Sequence, residues 1–355
     1  MKRKMTRKSL DLFLPSGYLN HRAVRELGLP FNFLVGGRGT GKTYSGLLDM
    51  YENDFKFFFL RRLQVQADLI GSPDFSPFGP INNDLGTNIQ TQSVKKVKGV
   101  SAIYNMEDGP DGKLVPAGDP LGYTAALATF SNLRGFGAHY VQKILFDEFI
   151  PEANERPIKD EGHAFLNMYE TINRNRELNG LPPVQVFCYA NANDLGNPIF
   201  MELGVIRITE KMKAQGQMSY INRDRGLGIF LLDESPISEQ KADTALYRLT
   251  KGGSFQDMAL KNKFDIDDHM VRSAKLIEYR PIVAIGEICI YKHKSKSQWY
   301  CSSHFSGHPE TFRVSDTDRA RFVSHYSDLW SRYLGNQLYF EDYACEIVFR
   351  KYYGY

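Results

Sequence analysis

The stretch Gly36-Gly37-Arg38-Gly39-Thr40-Gly41-Lys42-Thr43 constrains this chain more than any other. It fits the pattern G-x-x-x-x-G-K-[ST], which needs a buried strand before it and a helix after it. Both are present: Phe31-Asn-Phe-Leu-Val35 reads as a short apolar strand, and a helix is predicted from Lys42 to about Tyr51. The residue types follow from anion chemistry. Glycines let successive backbone N–H groups turn inward around a β-phosphate, and the new helix points its positive end at the same anion. Lys42 would reach the β- and γ-phosphates, and Thr43 would give a hydroxyl to Mg²⁺. The expected ligands are ATP and Mg²⁺.

Such a loop requires a carboxylate on a neighbouring strand. Lys143-Ile-Leu-Phe-Asp147-Glu148 is an apolar run ending in two acids. Asp147 is the candidate for the Mg²⁺ shell, and Glu148 for orienting and deprotonating the attacking water. Roughly a hundred positions separate loop and acids, room for intervening strand–helix units. That spacing suggests the P-loop branch with an added strand and its own catalytic glutamate (the ASCE type), which holds motors, helicases and remodelling ATPases. Asn191, after the predicted strand Val184–Tyr189, is placed to sense the γ-phosphate. Asn173-Arg174-Asn-Arg176-Glu177 closes a helix predicted from about Glu161. Arg174 there suits a finger offered to a neighbour's γ-phosphate, although two arginines at a helix end also suit the helix dipole.

Continuous apolar runs such as Phe55–Leu60 and Val184–Tyr189 are typical of strands covered on both faces. With the helices between them they predict an α/β fold with a mostly parallel sheet. Residues 71–120 are rich in Pro and Gly turn signals and read as an insertion. Ser93 to Tyr104 inside it alternates like a hairpin strand, and it carries Lys95, Lys96 and Lys98. The expected domains are a P-loop ATPase domain over 1–207, a linker with a helical hairpin over 208–265 and a small α/β domain over 266–355. In the last, strands are expected at about Arg280–Tyr291 and Gln298–Ser303, with helices at Asp316–Leu334 and Leu338–Tyr353.

Composition narrows the remaining classes. Lys plus Arg is 44 against 41 acidic residues, a net charge of +3, so any polyanion would be met by local rather than global charge. The four cysteines are scattered without a Cys-x-x-Cys pair, which fits a reducing compartment rather than a disulfide framework. The basic stretch Met1 to Lys8 is followed by too short an apolar run for a signal peptide. No run approaches the roughly 18 apolar residues that cross a bilayer, so no membrane partner is expected. Cys301-Ser-Ser-His304-Phe-Ser-Gly-His308, with His293, has ligand-type spacing but lacks the paired cysteines usual for structural zinc.

Taken together, Gly-Gly-Arg-Gly-Thr-Gly-Lys-Thr, Leu145-Phe-Asp-Glu-Phe-Ile150 and Asn-Arg-Asn-Arg-Glu at 173–177 resemble the DNA-packaging ATPases of phi29-like phages. Cys345-Glu-Ile-Val-Phe-Arg-Lys351 resembles the family's C-terminal helix. The resemblance is firm from about 31 to 200 and weak from 205 to 335, and this chain has a longer start and a longer 71–120 region. It implies a homo-oligomeric ring, typically a pentamer, at the portal (connector) of a preformed capsid. ATP would drive double-stranded DNA inward, and docking would use a prohead RNA. The protein would then sit in the cytoplasm of the infected host, transiently attached to the portal vertex. By the same resemblance Arg174 is the trans-acting finger, Asn191 the sensor, and Arg134 falls where the family has a second trans-acting basic residue, there Lys.

The family's C-terminal domain is a reduced RNase H-like fold without nuclease activity. Glu287, Asp316 and Asp318 are the acids weighed here for two-metal cleavage, and they do not form a strand-end triad in the sequence. Lys292, Lys294 and Lys296 form a basic turn that would suit RNA phosphates. DNA-gripping candidates are Arg156 and Lys159 after the acidic pair, and Lys95, Lys96 and Lys98. Two other functions remain open from sequence: a terminase with a working nuclease, and a nucleotide-dependent RNA-binding assembly scaffold.

Overall fold

Phe33, Leu34 and Val35 have no solvent exposure, as residues of a strand covered on both faces must. They belong to the largest sheet in the computed structural model of the protein. The structure describes residues 10–94, 97–133, 140–151, 155–191, 196–232, 236–237, 244–249 and 270–354. The chain divides into two compact units, the first comprising 1–155, 167–193 and 218–263, the second 156–166, 194–217 and 264–355.

The strands of the first unit are β1 (Phe31–Val35), β2 (Phe57–Arg61), β3 (Ile89–Ser93), β4 (Ser101–Asp108), β5 (Leu114–Pro116), β6 (Gly122–Ala126), β7 (Lys143–Asp147), β8 (Gln185–Ala190), β9 (Ser219–Asn222) and β10 (Leu227–Leu231). They form one sheet in the order β3-β4-β6-β2-β7-β8-β1-β10-β9, with β5 on β4. The six strands from β6 to β10 in that order are parallel to one another. Antiparallel β4 and β9 flank them. β8 lies between the loop strand β1 and the acid-ending strand β7, which is the added strand that the spacing suggested. Val35 pairs with Ala190, and Tyr189 with Asp147, so the carboxyl ends of β1, β8 and β7 lie side by side. In open α/β sheets that edge is where ligands bind.

Several sequence expectations change here. The polar stretch after 207 was expected to be a linker. Instead Leu227–Leu231 is fully buried and pairs in parallel with β1, and β9 completes a hairpin with it. Conversely the helices Pro198–Leu203 and Ile206–Ala214 fall in the second unit, not in the first. Most of the expected helical hairpin lies outside the described residues, apart from short pieces such as Ala245–Leu249. The 71–120 insertion is a true hairpin, but its strands are β3 and β4, and Ser93 to Tyr104 spans the turn between them.

One face of the sheet is covered by α1 (His21–Arg25) and α2 (Lys42–Glu52), which place Val24, Leu47 and Met50 in a cluster with Leu34, Phe59, Leu145 and Phe187. A buried polar chain crosses this layer. Tyr189 Oη lies 2.8 Å from His21 Nε2, and His21 Nδ1 lies 2.7 Å from Asp49 Oδ2, which also accepts from Arg25 Nε at 2.8 Å. With Asp49 ionised, His21 donates from Nδ1 and accepts at Nε2 from the tyrosine hydroxyl, so a neutral ring satisfies every partner. Burial pushes the His21 pKa below its ordinary value against the pull of Asp49. Asp49 is held low because hydrogen bonds from His21 and Arg25 outweigh its own burial.

In the second unit, β11 (Tyr279–Ile285), β12 (Ile288–His293) and β13 (Trp299–Ser302) form an antiparallel meander. β14 (Glu310–Phe312) adds in parallel to β11, and β15 (Leu338–Phe340) in parallel to β13. The helix expected over 338–353 therefore begins as a strand. Its helical part is Tyr343–Tyr353, capped where Asp342 accepts from the Cys345 N–H at 3.0 Å. The helix expected over 316–334 breaks at Tyr326, which leaves the helical region at φ −122°.

A histidine kept neutral in the fold binds fewer protons than it does unfolded. Stability should therefore fall as pH drops through about 6.5, the ordinary histidine value. Thermal unfolding scans between pH 8 and 5.5 should show this slope in the native chain, and it should shrink in His21→Gln. A native chain whose midpoint is indifferent to pH over that range would contradict the neutral-histidine assignment.

Candidate functional site

The glycine-rich loop leaves β1 at the carboxyl edge and is held there by its neighbours. Gly36 N–H donates to Ala190 O at 3.1 Å, and a Cβ at Gly36 would come within 2.6 Å of Leu232 Cβ, so only glycine fits beside the end of β10. Gly37 and Thr40 are buried, whereas Arg38 and Gly39 are exposed. Gly41 takes a left-handed φ of 80° as the N-cap of α2. The Lys42 ammonium is buried and donates to Gly36 O at 2.9 Å, Gly37 O at 2.9 Å and Thr40 Oγ1 at 3.1 Å. These are neutral acceptors, and phosphate oxygens would compete for the same protons as charge-assisted ones.

Across the sheet, Thr43 Oγ1 donates to Asp147 Oδ2 at 3.0 Å. The loop and the acids, distant in sequence, thus share one point in space. Two hard oxygen donors at the N-terminus of a helix suit Mg²⁺, which prefers a carboxylate plus phosphate and water oxygens. Burial pushes the Asp147 carboxyl up, more than the nearby Arg61 guanidinium pulls it down. A divalent ion would reverse that balance.

Glu148 follows in a left-handed conformation, φ 56°, uncommon for a residue with a Cβ. Phe149 N–H bonds to Tyr189 O at 3.1 Å, and the Phe149 ring packs on Phe33 and Phe146. The turn thereby leaves the Glu148 side chain 43% exposed at the strand edge, accessible to a water. Asn191, one residue past Ala190, stands beside the start of the loop, because Ala190 O accepts from Gly36.

Sequence reasoning missed Arg61. It ends β2, next to β7, where Leu60 pairs with Phe146, and its guanidinium spans both acids: Nη2 to Asp147 Oδ2 at 3.1 Å and Nη1 to Glu148 Oε2 at 2.5 Å. Its neighbour Arg62 is fully buried and ion-pairs with Glu155 in the segment after the acids. The available signal was an Arg-Arg pair ending an all-apolar strand.

Arg174 lies at the opposite end of the sheet. It is exposed at the end of α3 (Glu161–Asn173) with φ 45°. Asn173 Oδ1 accepts from Val184 N at 2.8 Å just before β8, and Arg176 Nη1 donates to Val141 O at 3.2 Å just before β7. Those contacts fix this corner at the amino ends of the strands, about 16 Å of strand length from the loop. Arg134, Lys95 and Lys96 lie outside the described residues. Lys98 is exposed in the first unit, and Arg156 and Lys159 are exposed in the second.

The acids of the second unit do not group as weighed from sequence. Asp318 accepts from Arg313 N and Arg321, and Asp316 pairs with the backbone of Asp160. Glu287 instead approaches Asp342, and burial with that neighbour pushes its pKa up to about 7. Glu341, Asp342 and Cys345 place ligand-type atoms within 4.8 Å of one another. Arg207 already pairs with Asp342 at 3.0 Å and Glu341 at 3.6 Å. His304 pairs with Glu341 at 2.9 Å, and His293 Nδ1 accepts from Ser295 and Lys296 N–H groups, so these two histidines are engaged in other contacts. No helix among the described residues is long and apolar enough to cross a membrane.

Comparison with known proteins places this geometry. The profile of the podovirus DNA encapsidation protein (Gp16) matches residues 16–286. The DNA packaging protein of Bacillus phage B103 is 27% identical over 238 residues, 66% of this chain and 64% of that protein. The chain thus aligns with somewhat less than two thirds of that relative. Among solved structures, the phi-28 gp11 DNA packaging motor superposes with a TM-score of 0.61 at 19% identity, covering 97% of each chain. The bacteriophage phi-29 viral genome packaging motor assembly gives 0.61 at 20% identity, covering 94% of this chain and 96% of that one. At such identity the likeness is one of fold.

Because Arg61 is the shared counter-charge of two adjacent acids, one of them buried, Arg61→Ala should cost about 3 kcal/mol of stability in nucleotide-free protein. Denaturant unfolding measures it. An unchanged midpoint would mean that the two ion pairs carry no weight.

Proposed function

This chain belongs to the podovirus DNA encapsidation protein (Gp16) family, and from that premise we propose that it is an ATP-hydrolysing motor that drives double-stranded DNA into a preformed capsid. The observation that carries the reading is the 3.0 Å bond from Thr43 to Asp147, which joins a phosphate-binding loop to a strand-end acid. The loop amides, the N-terminus of α2 and Lys42 hold the triphosphate. Thr43 and Asp147 hold Mg²⁺, which supplies charge neutralisation on the phosphate oxygens. Glu148 orients the attacking water and takes its proton. To do so its carboxylate must turn from β2, which breaks the Arg61–Glu148 pair, so Arg61 sets how readily the base is released. Asn191, beside the loop, senses the γ-phosphate.

Arg174 supports action on a neighbour. It sits at the far end of its own sheet, so a γ-phosphate within its reach belongs to another copy of the chain. That makes hydrolysis depend on assembly, as in a ring, here proposed to be a pentamer at the capsid connector that docks through a prohead RNA. Arg134 would serve the same interface. Lys98, Arg156 and Lys159, with Lys95 and Lys96, are the proposed non-specific contacts to DNA phosphates, which would weaken as salt rises. The site of action is the host cytoplasm at the portal vertex.

The second unit is read as a reduced RNase H-like domain that does not cut DNA. Arg207 supports this, because its guanidinium takes the place beside Glu341 and Asp342 that a catalytic cation would need. Plasmid cleavage with Mn²⁺ would overturn it in favour of a nuclease-bearing terminase. ATP turnover indifferent to DNA would favour the assembly scaffold instead.

Glu148→Gln should bind ATP normally and turn it over at least about 100-fold more slowly; normal hydrolysis would remove Glu148 from the base role. Arg174→Ala should be inactive alone, yet mixing it with Glu148→Gln should restore part of the hydrolysis, because hybrid interfaces pair an intact base with an intact finger. The absence of rescue at every mixing ratio would argue against a trans finger.

A further inference from the structure

We propose that Tyr18 is the residue on which the nucleoside of bound ATP stacks, an inference that rests on the ATPase reading of the glycine-rich loop. Tyr18 is 43% exposed, although the residues on either side of it are locked in place. Phe13 and Leu19 form an antiparallel bridge, Leu14 N–H donates to Tyr18 O at 2.8 Å, and Gly17 N–H donates to Leu14 O at 2.8 Å. Leu19 is fully buried, and its N–H donates to Thr40 O at 2.9 Å, which ties the turn directly to the loop. On its other side the turn abuts residues 236–237: a Cβ at Gly17 would come within 3.0 Å of Ile237 N.

The turn holds the ring against the mouth of α2. A Cβ at Gly41 would meet Tyr18 Cδ1 at 2.9 Å, Tyr18 Cβ at 3.3 Å and Ser45 Oγ at 3.4 Å. Gly41 and Ser45 are four residues apart and so share one face of the helix. Thr43, two residues from each, points to the other side, toward Asp147. A triphosphate whose β- and γ-oxygens face Thr43 and Asp147 must leave with its nucleoside away from them. The side it leaves by carries Tyr18. A partly exposed aromatic ring beside an anion-binding helix N-terminus is what a base needs: an apolar face to stack on, fixed by only two side-chain torsions. Its contact with Gly41 also gives that glycine a second reason to lack a side chain.

The test separates base from phosphate recognition. Calorimetric titration with Mg²⁺ present would compare ATP and inorganic tripolyphosphate on the full chain, Tyr18→Ala and Tyr18→Phe. ATP affinity should fall about tenfold in Tyr18→Ala, tripolyphosphate affinity should not change, and Tyr18→Phe should bind ATP as the native chain does. In steady-state hydrolysis the loss should appear in KM and leave kcat within about twofold. Unchanged ATP binding by Tyr18→Ala overturns the proposal. So does an equal loss for both ligands, which would mean that the ring only supports the loop. A native chain that binds neither ligand overturns the ATPase reading itself and the stacking role with it.

Discussion

A hydrogen bond between a threonine hydroxyl and a strand-end carboxylate organises the first unit. For Thr43 to meet Asp147, β1 and β7 must run parallel with their carboxyl ends level and one strand between them, and α2 must start where β1 stops. Each condition has a local cause. Continuous apolar runs make the strands, buried on both faces. Glycine at 36 allows the chain to turn past Leu232, and glycine at 41 starts the helix in a left-handed step. The His21–Asp49–Tyr189 chain then ties α1, α2 and β8 into one layer beneath the loop.

Electrostatics at both acid groups follows a common logic. Carboxylates packed against one another need a counter-charge, and in each case a guanidinium from a neighbouring element supplies it: Arg61 for Asp147 and Glu148, Arg207 for Glu341 and Asp342. Arg207 has no neighbouring phosphate loop, and it leaves Glu287 with a buried oxygen that no donor reaches.

The parts of the site carried by contiguous residues were legible in the sequence. Gly36–Thr43 announces a loop because anion binding fixes both residue type and spacing, and Asp147–Glu148 follows an apolar run short enough to be a strand. What escaped notice depends on pairing across long separations. Leu227–Leu231 looks like a minor apolar patch in a polar stretch until β1 is placed beside it. Arg61 looks like a solvated strand end until the register sets it against Asp147. Leu338–Phe340 merges with the periodicity of the helix behind it, and only its pairing with β13 marks it as a strand. The helix 198–203 is visible as a helix, but nothing local tells which unit it joins, and the helix 206–214 is hidden in a polar stretch that reads as a linker.

The most direct test of the central claim is a structure of the chain with Mg²⁺ and a non-hydrolysable ATP analogue. The triphosphate should be wrapped by the amides of residues 37–43, with the ion beside Thr43 Oγ1 and Asp147. The Lys42 ammonium should leave the carbonyls of Gly36 and Gly37 for the phosphates. A nucleotide seated elsewhere, or an ion that engages neither Thr43 nor Asp147, would contradict that claim.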